Sequence, residues 1–477
     1  MYMRNLTMMT DLYQLTMMQG YLHHGMQNNR ACFDLFYRKR GDIMAYAVAA
    51  GLEQAVEYVK NLCFTAEDID YLRSLAIFDE EFLEYLSNFR FTGQILAVPE
   101  GTVVFPNEPI LRVIAPVMEA QLLETALLNI INHQTLIATK AARVVQAAKG
   151  DTVMEFGLRR AQGPDAGIYG ARAAIIGGCQ ATSNVMTGQM FRIPIGGTHA
   201  HSWVMSFPDE LSAFRVYADV FPTNCLLLVD TYDTLGNGVP NAITVFKELR
   251  ERGYEPKGIR LDSGDLSFLS RQARRMLDEA GFPNAKICAS GDLDEEIIWD
   301  LKAQGAAIDI WGVGTKMITS MDNPALGGVY KLAAEECDGK FIPRIKISEN
   351  PAKVTNPGVK QLYRFYDKKT GKALADMIAL EEEDFTSGEP LEIFDPENTW
   401  KRMTLCEYEA RKLLVSVFEN GELVYDLPSL SDIAAYSKRE LESFWDEYRR
   451  LTRPHRYKVD LSAKLYELKH SLLANRR

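Results

Sequence analysis

Residues 258–291 read GIRLDSGDLSFLSRQARRMLDEAGFPNAKICASG. A short apolar run ends on Asp262 and a glycine turn. A segment with apolar residues at helical spacing follows, and a second apolar run, KICAS, again ends on glycine. The change of period predicts strand, helix and a second, parallel strand. The same rhythm continues on both sides. TVMEF (152–156), CLLLVD (225–230) and IDIWGVG (308–314) are further apolar runs, and NAITVFKELRERGY (241–254) is a further helical pattern. Strands alternating with helices from Asp151 to about Leu332 suit a closed or nearly closed β/α barrel, with an open doubly wound sheet as the alternative.

At 477 residues the chain is too long for one core. Residues 8–23 have amphipathic helical spacing, and 52–90 read as short helices. GQILAVPEGTVVFPNEPILRVIAP (93–116) reads as short antiparallel strands broken by turns, followed by a long helix over 117–148. After Lys331, short strands around Pro, Gly and Lys turns are expected to return to the N-terminal part. From Tyr408 onward the pattern is mostly helical. The expected organisation is an N-terminal α/β sandwich over 1–133, completed by about 333–400, a barrel over 134–332, and a helical C-terminal region over 401–477.

Apolar content of 47% and charged content of 25% are those of a globular protein. A net charge of −11 argues against a general nucleic-acid binder, yet leaves room for arginines focused in one cleft. The seven cysteines form no CxxC pair, so reduced, buried thiols in a cytoplasmic protein are expected and a structural zinc is not. The Met-rich start lacks the continuous apolar core of a signal peptide, and no apolar run is long enough to span a bilayer, so no membrane partner is expected.

Each barrel strand is followed by Gly with charged or hydroxyl residues. Arg159, Arg160, Asp230, Arg260, Asp262, Asp265, Gly291, Asp292, Gly312, Gly314 and Thr315 should therefore converge at the C-terminal mouth. Glycines let backbone N–H groups approach phosphate oxygens, arginines neutralise them, and carboxylates hold sugar hydroxyls or Mg²⁺. Any one of these motifs is equally a capped βα turn; five in succession favour a sugar phosphate. Arg172, flanked by small residues, is a third arginine suited to an anion.

GGTHAHSW (196–203) holds two histidines one residue apart. A shared metal would need more histidines at later strand ends, and none lies between His201 and His455. A Ser-His-Asp hydrolase could use Ser202 or Ser263, but no G-x-S-x-G elbow is present. Two satisfied polar histidines, or an imidazole that accepts a phosphoryl group, remain open.

The motif set resembles the nicotinate phosphoribosyltransferase family across nearly the whole chain. TDLYQLTM, EFGLRRAQGPDAG, GGTHAHSWV, VDTYDTLGNG, RLDSGDL, ASGDLDE, GVGTKM and PHRYKVDLS carry the likeness. The resemblance implies a type II phosphoribosyltransferase fold, an irregular β/α barrel beside an N-terminal sandwich, and a homodimer with shared active sites. It implies joining of nicotinate to 5-phosphoribosyl 1-diphosphate, giving nicotinate mononucleotide and diphosphate with coupled ATP hydrolysis, in NAD salvage. By matching to the GT-x-AH motif, His201 is the implied phosphohistidine, and His199 falls at the variable position. Tyr13, from the partner subunit, and Phe156 are implied to sandwich the pyridine ring. Arg159 and Thr198 are implied to touch nicotinate or the phosphates, Arg260 and Asp262 the phosphoribosyl group, and Asp230 the ribose hydroxyls or metal. Gly291, Gly312, Gly314 and Thr315 are implied to cradle the 5′-phosphate. Mg²⁺ is expected with ATP and 5-phosphoribosyl 1-diphosphate, without a dedicated protein metal site, and no tightly bound organic cofactor is expected. Nicotinamide and quinolinate phosphoribosyltransferases share the fold; GLRRAQG and the GT-x-AH form favour nicotinate. A non-catalytic phosphoribosyl-metabolite sensor is the alternative from another class.

Overall fold

The computed structural model describes residues 5–38 and 45–475. The chain divides into two compact units, Ile137–Pro324 and the pair of segments Met1–Leu136 and Ala325–Arg477.

The Ile137–Pro324 unit is built on β1 (Thr152–Glu155), β2 (Ala181–Thr182), β3 (Leu226–Leu228), β4 (Gly258–Leu261), β5 (Lys286–Ser290) and β6 (Ile310–Val313). Every pairing is parallel, in the order β2-β1-β6-β5-β4-β3. Parallel strands are covered on both faces, and Val153, Leu227, Ile259, Ile287 and Trp311 are accordingly fully buried. Two of the helices between strands, Leu266–Glu279 and Glu295–Ala303, start on aspartates: Asp265 and Asp294 accept the N–H groups of Phe268 and Ile297 at 2.9 and 2.8 Å.

β2 and β3 end the strand order, and residues 194–199 fill the seam between them. Thr182 donates its N–H to the Pro194 carbonyl at 3.1 Å and accepts from the Gly196 N–H at 3.0 Å. On the other side, His199 Nε2 accepts the Leu228 N–H at 3.2 Å. The sheet is thus an irregular barrel closed through a non-strand segment, and not an open doubly wound sheet.

The other unit holds a seven-stranded antiparallel sheet, whose central strands are Gly328–Cys337, Arg30–Tyr37, Leu111–Pro116 and Gln94–Ala97. Val56, Leu72 and Leu83, from three short helices, share one core with Phe33, Ile95 and Val113 of the sheet. The expected long helix over 117–148 is two helices, Val117–Leu122 and Glu124–Ala147. The described residues from 401 onward hold three helices but also five short strands. Val415–Glu419 pairs with Gln94–Ala97, and Tyr408–Lys412 and Val459–Leu461 flank the pair Lys360–Asp367 and Ala373–Leu380. These strands exist because an open sheet edge lies beside them, which local composition does not reveal. All seven cysteines are free; Cys32, Cys179, Cys225 and Cys288 are buried, whereas Cys337 and Cys406 are exposed. Among the described residues no helix is long and apolar enough to cross a membrane.

Under the four-stranded sheet, the fully buried Arg364 bonds Asp376 at 2.6 Å, Glu440 at 2.8 Å and the Val103 carbonyl at 2.6 Å. Arg364→Met removes the guanidinium from two buried carboxylates, leaving Asp376 with the Tyr457 hydroxyl and Glu440 with Arg411, and should lower unfolding free energy by about 3 kcal/mol in urea titrations. A loss below about 1 kcal/mol would mean that the carboxylates find other partners.

Candidate active site

The C-terminal ends of β3, β4 and β5 are cross-linked by side chains. Arg260, on β4, donates from Nη2 to Asp262 Oδ1 at 2.7 Å and from Nε to Ser290 Oγ at 2.7 Å. Ser290, the last residue of β5, donates to the same Asp262 oxygen at 2.5 Å. Asp230, just beyond β3, accepts from the Asp262 backbone N–H at 2.7 Å and from Ser263 Oγ at 2.8 Å through one oxygen, Oδ2. Its Oδ1 is buried with no hydrogen-bond partner. Burial works to raise the Asp262 carboxyl, but the hydrogen bonds from Ser290 and Arg260, with the Arg260 charge, hold it below the ordinary range.

Close backbone approaches explain the glycines. Gly291 has φ +95°, and a Cβ there would stand 2.2 Å from the Asp262 carbonyl oxygen. At Gly312 a Cβ would lie 2.5 Å from two ring carbons of Phe156. Phe156 therefore lies directly over the end of β6, with the Arg260 guanidinium carbon 5.8 Å from its ring centre. Beneath it, the fully buried Glu155 accepts from Thr182 Oγ1 at 2.6 Å and from the Gly157 N–H, while burial pushes its carboxyl up. Glu155 thus anchors the turn that carries Phe156.

The histidines have unequal environments. His201 opens the short helix His201–Met205 and is 38% exposed. Its Nδ1 lies 3.1 Å from Thr231 Oγ1, and its Nε2 lies 3.9 Å from Asp262 Oδ2. His199 is only 8% exposed, with its ring 4.8 Å edge-on from Tyr217. Its Nε2 is occupied by the Leu228 N–H, so it cannot share a metal with His201. Burial pushes this imidazole down to about 4; the Ala200 carbonyl opposes, and the Arg260 and His201 charges add to the fall. Ser263 bonds Asp230 and His201 bonds Thr231, so a Ser-His-Asp relay is not assembled.

Of the other residues singled out from sequence, Thr198 is half-buried, its hydroxyl 3.3 Å from the His199 carbonyl. Arg159 and Arg160 are exposed on the turn Leu158–Arg160. Gly314 precedes the short helix Thr315–Ile318, and Thr315 is half-buried. Asp265 serves as a helix cap, and Asp292 is an exposed residue with φ +46°. Arg172 does not serve an exposed anion site: it is 1% exposed, inside the helix Pro164–Ile176, 5.6 Å from the Phe191 ring centre. Tyr13 belongs to the other unit, on the helix Leu12–His23, and is 48% exposed. Three residues missing from the sequence-based set, Glu155, Ser290 and Thr231, stand at strand ends beside residues that were chosen. Their position was the available signal. No group of three or more His, Cys, Asp or Glu suited to a metal occurs among the described residues.

Residues 8–132 match the N-terminal domain model of nicotinate phosphoribosyltransferase, and residues 359–469 match its C-terminal domain model. A nicotinate phosphoribosyltransferase of Bacillus subtilis is 50% identical over 458 residues, covering 96% of this chain and 93% of its own length. The crystal structure of human nicotinic acid phosphoribosyltransferase superposes with TM-score 0.85 at 32% identity, over 97% of this chain and 99% of that one. A nicotinate-nucleotide pyrophosphorylase from Pyrococcus furiosus shares the fold, with TM-score 0.71 at 22% identity over 93% and 98%.

The depressed His199 predicts an acid instability of defined sign. The ordinary histidine range lies near 6.5, so as pH falls the unfolded chain takes up this proton first. Stability attributable to His199 is full above about pH 6.5 and falls towards pH 4, by about 3 kcal/mol in all. His199→Gln, which cannot be protonated, should lack this component in urea titrations at pH 7 and pH 4.5. Equal acid slopes in both proteins would rule it out.

Proposed function

The chain belongs to the nicotinate phosphoribosyltransferase family and is an enzyme of that activity, and we propose that it couples formation of nicotinate mononucleotide to ATP through phosphorylation of His201. The observation that carries the coupling is the environment of His201. His201 Nδ1 lies 3.1 Å from Thr231 Oγ1; in the tautomer that donates this hydrogen bond, Nε2 keeps its lone pair on the half-exposed side, beside Asp262. That lone pair attacks the γ-phosphorus of ATP, the P–N bond forms, and the bond to the ADP oxygen breaks. Water later takes the phosphoryl group and returns the imidazole.

In the transfer itself, the ribose C1–O bond to diphosphate breaks while the nicotinate ring nitrogen forms the C1–N bond. No proton need be removed from that nitrogen. The carboxylates of Asp262 and Asp230 ease positive charge at C1, and Arg260 eases negative charge on the phosphates. Gly291 and Gly314 leave backbone accessible for the 5′-phosphate, with Thr315 as a hydroxyl donor, while the buried Gly312 makes room for the Phe156 ring above the end of β6. Phe156 and a partner's Tyr13 are the flat surfaces for the pyridine ring, with Arg159 and Thr198 near its carboxylate or the phosphates. The exposure of Tyr13 beside exposed Leu12 and Met17 on one helix supports a homodimer that covers them. Mg²⁺ suits the oxygen donors here: Asp230, with its unpartnered Oδ1, and Asp262 would hold it against substrate phosphates, where it supplies charge neutralisation. The product enters NAD salvage, and the free cysteines favour the cytoplasm.

Incubation with γ-labelled ATP should give an acid-labile phosphoryl group on the wild-type chain and none on His201→Ala. Turnover should favour nicotinate over nicotinamide and quinolinate, should rise with ATP, and should stop when Mg²⁺ is chelated. No labelling and no ATP effect would refute the coupling. Phe156→Ala should raise KM for nicotinate about tenfold, the worth of one aromatic stack; an unchanged KM would remove Phe156 from the ring site.

A further inference from the structure

His199 lies two residues before His201 but faces away from solvent, into the barrel wall. Its ring packs on Tyr217, and Phe214 stands 6.1 Å away on the same helix, Glu210–Val220. The direction of the Leu228 N–H is decisive. Val229 donates its N–H to the Arg260 carbonyl of β4 at 3.1 Å. The N–H of Leu228, one residue earlier, therefore points to the opposite side, where no strand continues the sheet. A buried, unpaired N–H costs about 1–3 kcal/mol, and the His199 imidazole removes that cost at 3.2 Å.

The same ring sits between the two segments that hold His201. One is its own segment, where Nδ1 lies 3.4 Å from the Ala200 carbonyl, one residue before His201. The other is β3, whose continuation reaches Thr231, the partner of His201 Nδ1, three residues after Leu228. We propose that His199 is a positioning residue: by bonding Leu228 across the barrel seam, it sets the separation of His201 from Thr231 and so aims His201 Nε2 at the phosphoryl donor. This role rests on the assignment of His201 as phosphoryl acceptor. It requires an imidazole with a lone pair on Nε2. The low affinity of the buried ring for a proton supplies that at neutral pH, since a protonated ring would face Leu228 donor to donor.

The test compares three substitutions in the full-length protein. In His199→Gln the carboxamide oxygen reaches the place of Nε2. In His199→Asn it falls a methylene short, and His199→Phe keeps a ring without an acceptor. Label uptake from γ-labelled ATP and the ATP-stimulated part of turnover should stay within about twofold of wild type in the Gln variant. Both should fall about 10²-fold in the Asn and Phe variants, the scale of a misplaced reacting atom. KM for nicotinate should stay within about twofold throughout, because the defect lies in aiming His201 and not in binding the ring. A ring that mattered only for packing would give the opposite order, with Phe tolerated and Gln impaired. That order, or wild-type labelling in both Asn and Phe, overturns the proposal. If His199→Phe does not fold, the Gln and Asn variants carry the test. Spectra of ¹⁵N-histidine in the wild-type chain are an independent readout: His199 protonated on Nδ1 supports the proposal, and protonation on Nε2 overturns it. A His201→Ala chain that still takes up label refutes the phosphohistidine assignment itself. Label confined to His201 but indifferent to His199 refutes only the positioning role.

Discussion

Two carboxylates stand at neighbouring strand ends, Asp230 after β3 and Asp262 after β4, and like charges so placed repel. The mouth of the barrel depends on the way that repulsion is offset. Arg260 and Ser290 share one Asp262 oxygen, while the Asp262 N–H and the Ser263 hydroxyl share one Asp230 oxygen. The bonds run from strand to strand, so the geometry of the sheet and the charge of the site hold each other in place. One oxygen of Asp230 is left without a partner at the centre of this lattice, a cost in the free protein that a cationic ligand would remove.

The second constraint is steric. Gly238 packs so closely that a Cβ would stand 1.9 Å from the Val229 carbonyl, and Gly291 and Gly312 have comparable close contacts with Asp262 and Phe156. These glycines bring backbone against backbone or ring, so the loops after β3, β5 and β6 can be short and rigid. Short loops keep the side-chain lattice from relaxing towards solvent, which is what a preorganised charge site requires. The cross-linked carboxylates and the tight glycine turns are one design seen from two sides.

The barrel was legible in the sequence because its strands are buried on both faces and read as continuous apolar runs, as in KICAS and IDIWGVG. The strand ends were legible because polar residues there interrupt an apolar pattern. Glu155 and Ser290 carried the same strand-end signal, but only the folded chain shows their bonds to Thr182 and to Arg260 and Asp262. Arg172 misled for another reason: a guanidinium flanked by small residues suits an anion site, and only packing shows that it is buried near Phe191. The strands after residue 401 were not legible either. Each is a few residues long and pairs with strands distant in sequence, so the local pattern carries little of their stability.

The two histidines mark the boundary most clearly. Residue order alone places an imidazole among strand ends rich in glycine, arginine and carboxylates, since the residue types and their succession after each strand are local properties. Motifs spread from Tyr13 to Tyr457 establish the family in the same way. That His201 faces Thr231 and Asp262, while His199 turns inward to Leu228, is settled by the folded chain and by nothing short of it. The choice depends on which side of the seam lacks a strand, and a missing strand is a property of the closed sheet, absent from any single stretch of chain.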